Sequence, residues 1–199
     1  MMRSGSKYLV VGIAWLLLAL LAGASGVVAS MRPPLPQVVL AALTVMLVVA
    51  YLRATGLRAW LDTLDIRAIL ALHLARFVGA WFLVLYGRGE LPYAFAVPGG
   101  WGDIVSATGA ALLMFLVQDF ASRRWLIAGW NVWGMLDILM VVLTAARLFL
   151  ADPPSMHALL VLPLSLLPTF LVPLIIASHL LVFRRLAMAA SREPSRASV

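Results

Sequence analysis

No cysteine occurs among the 199 residues, and only 12% of them are charged. The first absence excludes disulfides, thiolate metal sites, iron–sulfur clusters and thiol nucleophiles together. The second excludes an ordinary soluble domain, in which about a quarter of the residues carry charge. Acidic residues are the scarcest class, 8 against 15 Lys and Arg. What is abundant is apolar: 64% of the chain is hydrophobic, with a mean hydropathy of +1.04. At about 20 apolar residues per membrane-spanning helix, this length holds about six spans and leaves no room for a folded extramembrane domain. Soluble hydrolase, nucleotide-binding and nucleic-acid-binding domains are excluded by that arithmetic. The net charge of +7 does not point to nucleic acid, because the basic residues fall in short clusters at the ends of apolar runs.

Breakers separate six runs and predict an all-α integral membrane protein with spans at about 8–29, 37–52, 66–86, 103–120, 125–150 and 156–183, forming one domain over 1–185. The first run is too long for a signal-peptide core and reads as a retained helix. A polar link, Leu57 to Asp65, reads as an interfacial turn of helix with Trp60 at headgroup level. The stretch from Gly87 to Gly102, rich in glycine and proline, reads as a long loop, with Asp103 capping the fourth helix. Residues 186–199 read as a disordered tail.

One face collects Arg3, Lys7, Arg53, Arg58, Arg67, Arg123, Arg124, Arg184, Arg185, Arg192 and Arg196, and the other Arg32 and Arg88. By the positive-inside rule both termini are expected in the cytoplasm, and the glycine-proline loop outside.

Ionisable groups within a span are costly, and so are the first candidates for function. His73 and Arg76 are three apart on the third helix, Asp119 lies at the end of the fourth, Asn131 and Asp137 on the fifth and His179 on the sixth. A rise of about 1.5 Å per residue puts Arg76 and Asp137 nearly level at the midplane, which predicts an ion pair. His73, Asp119, Asn131 and His179 form a shallower layer, and all six are expected to line one pocket. The pair Arg76/Asp137 could equally serve only to fix helix register, and Asp119 could pair with Arg123 at the interface.

Two imidazoles at matched depth admit a sharper reading, in which His73 and His179 ligate a haem b iron from both sides; no other metal site is expected. Each His is otherwise a hydrogen-bonded core residue, and His157 reads as exposed. Ala71, Ala75 and Gly79 give a small-residue stripe expected to lie away from the His73/Arg76 face. Pro163, Pro168 and Pro173 are expected to kink the sixth helix. Tyr93, Phe95 and Trp101 suit either a re-entrant lid or an aromatic belt. Ser106, Thr108 and Ser178 have no base at helical spacing, so no catalytic residue is assigned and an enzyme is not favoured.

Four segments carry a resemblance: His73 to Gly79 with Phe82-Leu83; Gly89-Glu90-Leu91-Pro92 with Phe95 to Asp103; Trp130 to Asp137; and Pro168 to Pro173 with His179. Together they are similar to a group of small uncharacterised bacterial integral membrane proteins over about residues 70 to 185. The resemblance implies a bacterial inner-membrane location and a pattern including His73, Arg76, Asp103, Asn131, Asp137 and His179, but no activity. The expectation is a binding or proton-linked transport protein in the lipid bilayer, with Arg76 holding a small polar or anionic ligand. Haem-based electron transfer and a purely structural subunit are the alternatives. A homo-oligomer is left open.

Overall fold

The computed structural model describes residues 2–116 and 122–191. Among them are only helical elements and their connections, and six helices are long and apolar enough to cross a membrane. Helix α1 (Met2–Ala24) leads by a turn to α2 (Leu35–Arg53), followed by the short α3 (Thr55–Asp62). The third crossing is composite: α4 (Ile66–Leu72), a 3-10 segment (His73–Val78) and α5 (Gly79–Gly87). Then come α6 (Tyr93–Leu116) and α7 (Arg124–Ala151). A 3-10 segment (Pro153–Leu160), a π-helical turn (Leu167–Leu171) and α8 (Val172–Ser191) complete the chain.

Four sequence expectations are corrected. The fourth helix begins at Tyr93 and not at Asp103, and the loop expected over 87–102 is mostly helix. Pro98 lies just past the first turn, where it removes one main-chain donor, the one that would have reached the Ala94 carbonyl. The glycines around it serve close packing instead of turning the chain: a Cβ on Gly100 would lie 2.8 Å from the Gly79 carbonyl oxygen. Second, the expected span 156–183 is divided. Residues 153–166 fold back into the bundle as a cap, burying Met156, Leu160 and Leu164, and the prolines at 163 and 168 sit in this break and its π turn. Third, α8 runs to Ser191, past the expected domain end at 185; residues 192–199 lie outside the described residues. The first helix also stops at Ala24, five residues early, where Gly26 takes a positive φ of 78° in the following turn.

The apolar core is split. One cluster joins Phe82, Leu85, Phe95 and Phe149 to the cap residues Met156 and Leu160. Another, toward the α3 end, joins Ile69, Leu70, Leu113, Ile127 and Val182. Polar side chains fill the level between them. Helices α1 and α2 bury few residues and stand at the periphery; Trp15 of α1 donates to the Thr169 carbonyl at 3.0 Å, tying it to the π turn. Arg184 bonds Tyr51 and Asp62, and Arg185 donates to the Leu64 carbonyl at 2.8 Å, so α8 clamps α3.

Candidate functional site

The site exists because three helices approach at glycines. A Cβ on Gly79 would meet the Gly100 carbonyl oxygen at 2.5 Å and Asp103 Cβ at 2.7 Å; one on Gly102 would meet Asp137 Oδ1 at 1.7 Å. The 3-10 segment supplies the register. With three residues per turn, His73, Arg76 and Gly79 eclipse one another on a single face. In an α-helix Gly79 would turn away, which is why the small-residue stripe was expected elsewhere.

Arg76 is fully buried and held on three sides. Its Nε donates to Asp103 Oδ1 at 2.7 Å, its Nη1 to the Gly134 carbonyl at 3.0 Å, and its Nη2 to Asp137 Oδ2. The expected contact with Asp137 is present, but a second carboxylate completes the cluster. Asp103, expected as a helix cap at the outer loop, instead lies nearly halfway along α6 with 3% of its surface exposed. One guanidinium thus faces two carboxylates. In this arrangement the charge of Arg76 is already engaged by Asp103 and Asp137.

The second layer joins both histidines in one place. His179 Nδ1 lies 2.8 Å from Asn131 Oδ1, and Asn131 Nδ2 donates to the His179 carbonyl at 3.2 Å. Because Asn131 Oδ1 can only accept, His179 carries its proton on Nδ1 and leaves Nε2 as a lone pair. Ser178 Oγ donates to the Ile175 carbonyl at 2.7 Å, so its 3.0 Å contact with His73 Nε2 must be an N–H donated by the ring. His73 Nδ1 is then the bare lone pair. Both bare nitrogens are buried with no hydrogen-bond partner among the described residues. The layers meet at Gly134: a Cβ there would come within 3.1 Å of His179 Nε2 and 3.3 Å of Arg76 Nη1.

The two imidazole centroids are 4.5 Å apart, tilted by 57°, and Trp130 packs edge-on against His73 at 4.7 Å. Axial ligation needs a macrocycle between the rings with both nitrogens aimed at its iron. Rings in contact leave no such slot, so these residues do not fit haem in this conformation. No group of three or more metal-ligating side chains occurs among the described residues.

Asp119 lies outside the described residues. Trp101 and Tyr93 are exposed on α6, whereas Phe95 is buried against Phe82 at 5.1 Å, so these three form no lid. His157 is exposed. Sequence reasoning missed Gly102, Gly134 and Ser178 as parts of the site. It quoted Trp130 without a role; this indole donates to the Ser106 carbonyl at 2.9 Å and walls the histidines. Treating glycines near Asp103 as helix-packing residues would have placed that aspartate level with Arg76.

Against the charged cluster lies a cavity of about 150 Å³, bounded by Arg76, Asp103, Phe82, Val141 and Ile175, with Gln37 and Leu40 of α2 on the remaining side. Fold and site together define an all-helical bundle of membrane-crossing proportions built around a buried carboxylate–guanidinium–imidazole core. The chain belongs to a family described as a domain of unknown function, DUF8737, which matches residues 33–187. The match takes in every residue of this polar core and omits α1 and the turn after it as far as residue 32. No curated protein and no solved structure matches the sequence.

Proposed function

We propose that the protein binds a small molecule within the membrane and moves it in step with a proton, the proton being carried by Asp103 or Asp137. The observation that carries this reading is that two buried carboxylates share one guanidinium at the inner end of a cavity. With both ionised the cluster has a net charge of −1, and one added proton makes it neutral. An uncompensated charge at mid-membrane costs about 2.5–3.5 kcal/mol on insertion scales, enough to couple proton uptake to a change of conformation. The lone pairs of His73 and His179 give the proton a next station, reached past Gly134.

The proposed setting is the inner membrane of a bacterium with both termini in the cytoplasm, in keeping with the group the sequence resembles. The Lys/Arg asymmetry favours this orientation. Arg147, in the outer part of α7, raises the outer count from two to three and leaves the bias intact. A reporter fused after Val199 that is active only in the periplasm would reverse it.

The test of the proton reading is proton movement itself. Purified protein is reconstituted in vesicles holding a pH-sensitive dye, and a potassium diffusion potential is imposed. Wild-type vesicles should change internal pH at least tenfold faster than vesicles with Asp103→Asn or Asp137→Asn. Equal rates in wild type and both variants would overturn the proposal and leave the cluster a structural ion pair.

A further inference from the structure

The cavity and Gln37 together point to a binding site for a neutral, hydroxyl-bearing apolar molecule about the size of one ring, and we propose that this is the ligand class the protein takes. The assignment deepens the transport reading and rests on it for its purpose, though not for the binding itself.

Three observations carry it. The cavity, about 150 Å³, is walled mainly by aliphatic and aromatic side chains, the size at which an apolar site holds a single benzene ring. Gln37 lines it, and both its Oε1 and Nε2 are buried with no hydrogen-bond partner among the described residues. Leaving a buried amide unpaired is costly, and each such group asks for a partner. A hydroxyl answers both halves at once, donating to Oε1 and accepting from Nε2–H. Finally, the wall has a lateral seam. Helix α2 leans on α8 and the π turn while α7 packs on α6 and α8, and the cavity lies between α2 and α7. Ala41 is both a wall residue and exposed, so the seam reaches the surface that faces lipid. A membrane-partitioned ligand could enter there without crossing water.

The inner end selects against anions by its charge and against cations by the cost of desolvating them. A carboxylate would meet the Asp103 side of a cluster that already has more negative than positive groups. An ammonium would have to be stripped of water beside carboxylates that Arg76 already occupies, and Gln37 supplies no charge to replace that hydration.

The probe is benzyl alcohol carrying a trifluoromethyl-diazirine, photolysed with the full chain in lipid nanodiscs; adducts are located by peptide mass spectrometry. Adducts are expected on Leu40, Val142 or Ala145, and excess benzyl alcohol should suppress them while benzoate and benzylammonium do not. Gln37→Leu should lower labelling at these sites at least tenfold. Val142→Trp, which fills the cavity from the opposite wall, should do the same, and serves if Gln37→Leu does not fold. Labelling spread evenly over lipid-facing residues, indifference to both variants, or stronger competition by either ion would overturn the assignment. No proton gradient is present, so a wild-type chain without labelling at these sites counts against the ligand class alone, and the vesicle assay counts against proton coupling alone.

Discussion

Asn131 and His179 hold each other from both ends: the asparagine carbonyl accepts from the imidazole at 2.8 Å, and its amide donates to the histidine's own main-chain oxygen at 3.2 Å. One side chain thereby sets the rotation of the ring, its tautomer and the pairing of α7 with α8. Asn131→Leu should strand both groups of His179, at about 1–3 kcal/mol for each. Thermal unfolding in detergent reads the loss; an unchanged melting temperature would mean the two bonds contribute nothing.

The guanidinium is more expensive to remove alone than with its partners. Arg76→Met leaves two buried carboxylates facing each other and should destabilise by at least about 3–5 kcal/mol. The triple variant with Asp103→Asn and Asp137→Asn should recover much of that loss, because no charge remains unpaired. If the triple is no more stable than Arg76→Met in chemical denaturation, the three groups are not one unit.

Glycine positions differ sharply in tolerance. Gly102→Ala would drive a methyl to within 1.7 Å of Asp137 Oδ1, so its cost should exceed the usual overpacking penalty of about 1–3 kcal/mol. Gly99→Ala meets Val141 Cγ2 at 3.2 Å, a contact that a small rotation relieves, and should be nearly silent. Size-exclusion profiles and melting temperatures of the two variants test the contrast.

Haemin added to the folded protein should give no bis-imidazole absorption spectrum, since the rings of His73 and His179 are in contact. Such a spectrum, abolished by either His→Ala change, would require α7, α8 and the 3-10 segment to separate.

At the α3 end, Arg184→Ala should cost no more than about 1 kcal/mol, because its pairing with Asp62 is partly exposed. Its effect should fall instead on the docking of α3, read as faster proteolysis between Arg53 and Arg67. Equal cleavage rates would show that the clamp resides in Arg185.

Which residues are buried together was partly legible in the sequence. Runs of about 20 apolar residues have few ways to satisfy their backbone other than as crossing helices, and this determined six apolar helices. A charge at the centre of such a run is costly enough to need a partner, so Arg76 and Asp137 could be matched by depth alone, as could His73 and His179. Glycine and proline are ambiguous at that level. Around Pro98 they read as a loop because in water they break helices, yet packed between α5 and α7 the same glycines let backbones touch, and the packing offsets one lost hydrogen bond. Only the tertiary structure decided that Asp103 faces Arg76 and not the surface. The same holds for the 3-10 register that turns His73, Arg76 and Gly79 to one side, and for the cavity beside Gln37. Each depends on how helices are rotated against one another, and rotation is set by contacts between segments distant in sequence, which periodicity within a single helix does not encode.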